Sequence, residues 1–251
     1  MISRWAKQAE LLQLQALWGR VFGDGPELTG AFWDRFPPEK HTRVIGRDGL
    51  AAMASWIPVT LEGQPGAYVY AVATAPEQRG KGLCRALLGE LENALAARGF
   101  AFTALCPAAP SLFDFYARLG YETAFYHSVR RVAAEQGELA PEELPPAEYG
   151  ALREEYLHMP HCVWPETALS YLQAAGARFY RLPDGCAAVS DGPLRIVELL
   201  GPPEHAAALC HFLGASGAEV SAPGMETPHG MVKSLRFGQK TPPAYLGFAF
   251  D

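Results

Sequence analysis

The sequence has few charged residues and no excess of basic ones. Asp and Glu total 27 against 21 Lys and Arg, which gives a formal net charge of −6. Proteins that bind nucleic acid through its phosphates carry a basic surface, so we expect no nucleic acid partner. The mildly acidic balance is compatible with a cationic amine substrate and equally with simple solubility.

Closely spaced cysteines and long apolar runs are also missing. The five cysteines are far apart and form no CxxC pair, which argues against a zinc ribbon or a disulfide framework. No apolar run reaches the ~18 residues that cross a bilayer. Residues 1–20 mix charged and apolar residues, unlike a signal peptide. We therefore expect a cytoplasmic protein with no membrane partner.

Apolar residues are plentiful, at 49% of 251 residues, enough to bury a core in one large domain or two of ordinary size. The first half alternates helical and strand-like patterns. Helices are predicted at 10–22, 27–36, 79–98 and 111–119, and strands at 41–45, 50–61, 67–74, 100–106 and 121–132. Ser111-x-x-Asp114 has the form of a capping box. This order predicts an α/β layer protein with one central sheet.

The second half follows a similar order of elements. A linker rich in Ala, Glu and Pro is predicted at 136–146, after a first domain at 1–135 and before a second, smaller α/β domain at 147–251. Helices are predicted at 149–157, 166–175 and 204–213, and strands at 178–182, 185–190, 194–200, 219–221, 231–237 and 245–250. Setting Pro203-Glu204 on Pro76-Glu77 places Ala207 on Gly80 and Leu209 on Gly82. The second half thus reads as a copy that has lost the glycines.

The segment from Val72 to Arg85 carries the clearest chemical signal. A buried strand ends there, and a helix begins after two glycines, Gly80 and Gly82, set among the cations Arg79, Lys81 and Arg85. The first N–H groups of a helix lack intrahelical partners and attract anions. Glycines remove the Cβ atoms that would hold a phosphate away from the backbone. The segment is neither a Walker loop nor GxGxxG, and it predicts a diphosphate site.

Arg79-x-x-Gly82-x-Cys84, with Gln78 before it, resembles the Q/R-x-x-G-x-G/A signature of the GNAT acetyltransferase superfamily. Residues 113–121 look like that superfamily's FYxxxGF/Y segment. The resemblance extends over residues 1 to about 132. At the last position of the first signature, Cys84 stands where Gly or Ala is usual. The overall pattern is similar to the enhanced-intracellular-survival type, in which a working GNAT domain precedes a degenerate one. The resemblance implies a GNAT fold with a mixed, mostly antiparallel sheet flanked by helices.

The resemblance also implies an acetyl-CoA-dependent transfer of an acetyl group to a primary amine of a small molecule or peptide. Acetyl-CoA is the acyl donor, with no metal. Tyr116 is implied as the general acid for the leaving thiolate, although an aromatic stripe on a helix is otherwise typical of core. The residues implied to bind the donor are Val72, Ala73, Thr74, Arg79, Gly80, Lys81, Gly82, Leu83, Cys84, Arg85 and Ser111.

The acceptor side stays open. No residue is singled out as the base, although Glu62 and the terminal carboxylate of Asp251 are options. Phe32, Trp33 and Asp24 are candidates for an acceptor pocket or, equally, for core packing. His158, His161 and Cys162 could be metal ligands, but no fourth ligand lies near, so a packed loop is favoured.

Two other functions remain compatible with the sequence. A non-catalytic acyl-CoA sensor would need the loop but not Tyr116. A transferase that uses aminoacyl-tRNA would fit poorly with an intact diphosphate loop and an acidic chain.

Overall fold

A computed structural model describes residues 3–46, 49–190, 192–236 and 241–250. The chain divides into two compact units. The first comprises Met1–Leu105, Ala109–Glu122 and Val232–Lys240, and the second comprises Cys106–Ala108, Thr123–Met231 and Thr241–Asp251. Each unit is therefore assembled from segments that are distant in sequence.

The first unit has a mixed sheet flanked by helices. Its elements are β1 (Arg4–Trp5), α1 (Leu11–Phe22), α2 (Pro26–Arg35), α3 (Pro38–His41), β2 (Thr42–Ile45), β3 (Ala52–Leu61), β4 (Gln64–Thr74), α4 (Leu83–Ala97), β5 (Phe102–Leu105) and α5 (Pro110–Ala117). The strands lie in the order β1-β2-β3-β4-β5. All pairs are antiparallel except β4 and β5, which are parallel. The long connection through α4 is what a parallel pair requires.

The core of this unit follows the predicted periodicity. The apolar stripe of α4 is buried, comprising Leu83, Leu87, Leu88, Leu91 and Leu95. Trp18 of α1 contacts Phe32 and Trp33 of α2 and Tyr70 of β4, with ring centroids 5.2–5.4 Å apart. These contacts fix the two N-terminal helices on β4.

The second unit has its own sheet. Its elements are β6 (Glu122–Ala133), β7 (Glu142–Leu144), α6 (Pro146–Tyr156), β8 (Cys162–Val163), α7 (Glu166–Ala174), β9 (Ala177–Leu182), β10 (Gly185–Ser190), β11 (Arg195–Leu200), α8 (His205–Phe212) and β12 (Gly217–Ser234). The first residue of β6 and the last three of β12 fall within the bounds of the first unit. Strands β7, β9, β10 and β11 pair antiparallel in that order. Strand β12 pairs parallel with β11. It also pairs with β6.

Several predicted elements differ from the structure. The helix expected from residue 79 begins at Leu83, because Gly80 and Gly82 take left-handed φ angles of 76° and 74°. Helix α5 begins at Pro110 with Ala109 as N-cap, and no side chain caps it, so the Ser111 capping box was wrong. The predicted linker at 136–146 contains β7, which pairs with β9.

The C-terminal part differs as well. The strands predicted at 219–221 and 231–237 form one element, β12, over its described residues. Residues 245–250 form no strand, because Tyr245 makes only an isolated bridge to His161 and Leu246 accepts a hydrogen bond from the Trp164 indole at 2.8 Å. A buried aromatic tail has the same apolar pattern as a strand. None of the helices in the described residues is long and apolar enough to cross a bilayer.

Candidate active site

The C-terminal end of β4 is irregular. Met53 pairs with Ala73 while Ser55 pairs with Tyr70, so β4 has one residue more than β3 across this stretch. The extra residue is accommodated at Ala71, whose φ of 51° is left-handed. A residue with a Cβ seldom adopts this conformation, and bulges of this kind redirect a strand next to functional sites. The backbone after Ala71 is therefore turned by a strained bulge.

The parallel ladder between β4 and β5 is short. It runs from Gly66–Phe102 to Tyr68–Ala104, and none of its pairs in the described residues includes Val72, Ala73 or Thr74. Ala73 is buried, whereas Val72 and Thr74 are partly exposed. This stretch therefore lies beyond the described β4–β5 pairs, where an extended ligand arm could pair with a strand edge.

The loop after β4 leads directly into a helix N-terminus. Gly80 and Gly82 would meet nothing within 4 Å if they carried a Cβ, so their open side is space and not protein. Ala86 N–H donates to the Gly82 carbonyl at 3.1 Å, which is the first bond of α4. The N–H groups of Leu83, Cys84 and Arg85 precede it and have no intrahelical acceptor. The open space beside the two left-handed glycines and the N–H donors without intrahelical acceptors together fit a diphosphate.

The cations of this loop lie at its surface. Arg79, Lys81 and Arg85 are exposed. The Arg79 Nε donates to the Thr74 carbonyl at 3.4 Å, and the Lys81 ammonium donates to Gln78 Oε1 at 2.9 Å. These bonds hold two positive side chains near the end of β4 and the two glycines, where an anion gains from their charge.

Leu83 and Cys84 anchor the start of α4. Leu83 is 3% exposed and belongs to the apolar stripe of the helix. Cys84 is partly exposed, and burial raises the pKa of its thiol to about 11. The raised pKa favours the protonated thiol, which is the less nucleophilic form.

Tyr116 lies in the last turn of α5 and is 9% exposed. Its ring is 5.2 Å from Phe115 and 5.8 Å from Tyr121, both edge-on. Tyr121 accepts a hydrogen bond from the Thr103 hydroxyl of β5 at 3.0 Å. Contacts thus link Tyr116 to β5, the parallel neighbour of β4. Ser111 is exposed in the first turn of the same helix.

Comparisons with known proteins bear on the fold. Residues 3–124 match a family model described as Acetyltransferase (GNAT) domain. A GCN5-related N-acetyltransferase from Anabaena variabilis is 17% identical, with a TM-score of 0.74 over 94% of this chain and 73% of that one. The chain has the GNAT fold. One from Kribbella flavida is 20% identical, with a TM-score of 0.69 over 92% of this chain and 70% of that one.

An Eis-type enzyme has the same fold. Eis1 from Mycobacterium abscessus is 16% identical to this chain, with a TM-score of 0.69 over 94% of this chain and 74% of that one. A comparison with curated protein sequences gives no match. At these identities the solved structures show the GNAT fold, and the match to the family model lies in the first half of the chain.

The other candidate residues of the first unit have packing or distant positions. Phe32 and Trp33 are buried at 0% and 4% exposure, and Asp24 accepts a hydrogen bond from the Trp18 indole at 2.7 Å. Glu62 lies in the turn between β3 and β4, at the opposite end of an 11-residue strand from Thr74. At ~3.3 Å per residue, that distance removes Glu62 as the base. Asp251 lies outside the described residues.

The segment from His158 to Cys162 in the second unit does not bring its histidine and cysteine side chains together at one site. His158 is exposed, whereas Cys162 is wholly buried, with the pKa of its thiol raised to about 12 by burial. The His161 Nδ1 donates to the Met159 carbonyl at 2.7 Å, and its Nε2 lies 2.9 Å from the Glu154 carboxylate. The described residues include no group of three or more His, Cys, Asp or Glu side chains able to hold a metal.

Proposed function

We propose that this protein is an acetyl-CoA-dependent N-acetyltransferase. The observation that carries the proposal is the bulged end of β4 leading into a loop whose two left-handed glycines open onto the N-terminus of α4. The match of residues 3–124 to an acetyltransferase domain supports it.

The donor site would be formed by this segment. The N–H groups of Leu83, Cys84 and Arg85 and the cations Arg79 and Lys81 would hold the diphosphate, with Gly80 and Gly82 allowing close approach. Val72, Ala73 and Thr74 would pair with the pantetheine arm as an added strand. Ser111 is a further candidate contact. Acetyl-CoA supplies an activated acyl group, and the protein's part is to place its carbonyl.

The reaction needs a proton at the leaving group. The amine nitrogen forms a bond to the thioester carbonyl carbon, and the carbon–sulfur bond then breaks. We propose that Tyr116 gives its hydroxyl proton to the sulfur as this bond breaks, so that CoA leaves as a thiol. The proton that the amine loses would go to water, because no described side chain is identified as the base, and the Tyr116 phenolate would regain a proton from water.

We further propose a tandem arrangement in which the second unit is a degenerate copy. In the first unit β2, β3 and β4 are antiparallel, and α4 leads to β5, which is parallel to β4. In the second unit β9, β10 and β11 are antiparallel, and α8 leads to β12, which is parallel to β11. Helices α1, α2 and α3 precede β2 in the first unit, and α6 and α7 precede β9 in the second.

The loop of the second copy has lost the features that bind a diphosphate. Pro202 and Pro203 precede α8 and have no N–H to donate. Ala207 and Leu209, matched to Gly80 and Gly82 in the sequence alignment of the halves, lie within α8. We therefore propose one donor per chain, with small-molecule or peptide amines as acceptors. The five cysteines are thiols and form no disulfide with one another, which fits a reducing cytoplasm.

A thiol-release assay tests the proposal. Acetyl-CoA is incubated with the protein and a panel of polyamines, amino acids, aminoglycosides and peptides, and free CoA is measured over time. We expect release that depends on at least one amine. CoA binding by calorimetry without turnover on any amine would favour the acyl-CoA sensor instead.

Gly82→Glu is the matched test of the donor loop. The substituted residue would have to adopt a φ of 74° and would place a carboxylate where the phosphates are expected. We expect CoA binding to be abolished in calorimetry. The control is Gly89→Glu, because Gly89 lies in α4 with open space at its Cβ, and should bind CoA as the parent does. Retained binding in Gly82→Glu would refute the loop assignment.

A further inference from the structure

Lys233, close to the C-terminal end of β12, belongs to the first unit. Its ammonium donates to the Glu92 carboxylate of α4 at 2.6 Å and to the Leu119 carbonyl at 2.8 Å. The same ammonium lies 5.7 Å from the centre of the Tyr121 ring. One cation therefore joins the helix that follows the diphosphate loop to the corner that follows α5.

Glu92 is unusual in its position. It is 6% exposed and lies on the buried side of α4, between Leu88 and Leu95 of the apolar stripe. A carboxylate in such a place is stable only when it is paired. Lys233 supplies the pairing charge from a segment 141 residues later in the chain. The pair is therefore specific to this geometry and is not a solvated surface contact.

The corner lies directly against the lysine stem. Gly120 has a left-handed φ of 90°, which favours glycine, and a Cβ there would lie 3.4 Å from the Lys233 Cε, at ordinary van der Waals distance. Burial, and after it the Glu92 carboxylate, raise the pKa of Tyr121 well above its usual value, so this ring stays neutral.

Tyr121 transmits the position of the corner to Tyr116. The two rings contact each other at 5.8 Å, and the Tyr121 N–H donates to the Tyr116 carbonyl at 3.1 Å. A shift of the corner therefore moves the backbone and the ring against which Tyr116 packs. A general acid must lie within hydrogen-bond distance of the atom that it protonates, and a small displacement can break that contact.

We infer that Lys233, paired with Glu92, is a positioning residue that holds the corner Leu119-Gly120-Tyr121 and through it the hydroxyl of Tyr116. This inference rests on the proposed acid role of Tyr116. Lys233 lies outside the diphosphate loop and gives no proton. It would still help to set the position of the Tyr116 hydroxyl.

Lys233→Met tests the inference in the full-length protein. It keeps the stem length and removes the charge. We expect kcat to fall roughly tenfold or more, because misplacement of a catalytic group is costly, while the KM for acetyl-CoA stays within about twofold of the parent, since the diphosphate loop is unchanged. Lys233→Arg should recover part of kcat. The control is Arg236→Met, an exposed cation of the same segment that donates to Gln64 at 2.6 Å and should leave kcat unchanged.

Two further variants separate positioning from general stability. Lys233→Met alone leaves the buried Glu92 carboxylate unpaired, which should lower the melting temperature. Adding Glu92→Gln removes that charge, so we expect the double variant to recover the melting temperature while its kcat stays low. In a Tyr116→Phe background, Lys233→Met should cause little additional loss of kcat. Recovery of kcat together with the melting temperature, or additive losses with Tyr116→Phe, would overturn the inference.

A readout without turnover distinguishes this inference from the proposed function. With 3-fluorotyrosine incorporated at Tyr116, Lys233→Met should shift or broaden the fluorine resonance and Arg236→Met should not. An unchanged resonance in Lys233→Met overturns the positioning role even if the enzyme is active. If the resonance shifts but Tyr116→Phe leaves turnover unchanged, the acid role fails and the placement of Tyr116 by Lys233 stands.

Discussion

Tyr116 is the residue on which the proposed chemistry depends most directly. It is buried at the end of α5 between Phe115 and Tyr121, and a buried aromatic ring is ordinarily core. Its hydroxyl is what distinguishes the acid role from packing, because phenylalanine keeps the ring and removes only the proton donor.

We expect Tyr116→Phe to lower kcat by about a hundredfold, within the range that one general acid contributes. The dissociation constant for CoA should change by less than about twofold, since the loop from Arg79 to Arg85 is untouched. Steady-state kinetics and calorimetry measure the two quantities. Phe115→Leu is the control, because Phe115 neighbours Tyr116 but has no proton to donate. Unchanged turnover in Tyr116→Phe would remove the acid role.

Ala71 shows what a sequence pattern cannot reveal about a single residue. Glycine is the expected residue at a left-handed φ, and the two loop glycines could be recognised for that reason. An alanine at 51° has no such signature, and it follows from the register of β3 against β4. The bulge is therefore visible only once the two strands are paired.

At the scale of elements, α4 illustrates how far periodicity reaches. The stripe of five leucines was predicted and is buried. The helix start was predicted four residues too early. Apolar spacing gives no information on φ angles, and the left-handed φ angles of the two loop glycines delay the helix. Glu92 interrupts the buried face of α4, and a charged residue at such a position is a signal for a partner. The identity of that partner, Lys233, is not contained in the spacing.

Helix α6 is tied to β11 by a buried ion pair. The Arg153 Nε donates to Glu198 at 2.9 Å, and the Tyr149 hydroxyl donates to the same carboxylate at 2.6 Å. Arg153 is 1% exposed and Glu198 is fully buried. Arg153 also donates to the Cys162 carbonyl at 2.9 Å, so it joins three segments of the second unit.

Arg153→Met should destabilise this unit by about 3–5 kcal/mol, because it leaves the buried Glu198 charge without compensation. The matched control is Arg181→Met, whose ion pair with Glu142 at 3.2 Å is exposed. That change should cost less than about 1 kcal/mol. Urea unfolding followed by circular dichroism measures both. Equal midpoints for the two variants would show that the buried pair contributes no more than the exposed one.

At the scale of the whole molecule, the chain order and the compact units do not coincide. Residues 1–135 were predicted as the first domain, yet the first unit includes Val232–Lys240 and ends its central segment at Glu122. The Leu235 N–H donates to the Ala101 carbonyl at 2.8 Å within that unit. A late segment thus completes the backbone and side-chain bonding of the early one.

Residues 1–135 expressed alone should therefore melt at a lower temperature than the full chain, because Glu92 is left without Lys233 and Ala101 without its donor. Circular dichroism against temperature measures this. Glu92→Gln in the same fragment should restore part of the loss, since it removes the unpaired charge. A fragment that melts at the temperature of the full chain would show that the late segment adds no stability.

The sequence by itself determined the α/β class, most helices and strands, and the double-glycine loop, because each rests on local periodicity or on residues adjacent in the chain. Tyr116 was named only through the resemblance to the GNAT superfamily, and its acid role stays a prediction. Only the tertiary structure decided the bulge at Ala71, the aromatic tail 245–250 as a non-strand and the pairing of Glu92 with Lys233. Each of these depends on contacts between residues distant along the chain, which no local pattern of hydrophobicity or turn chemistry encodes.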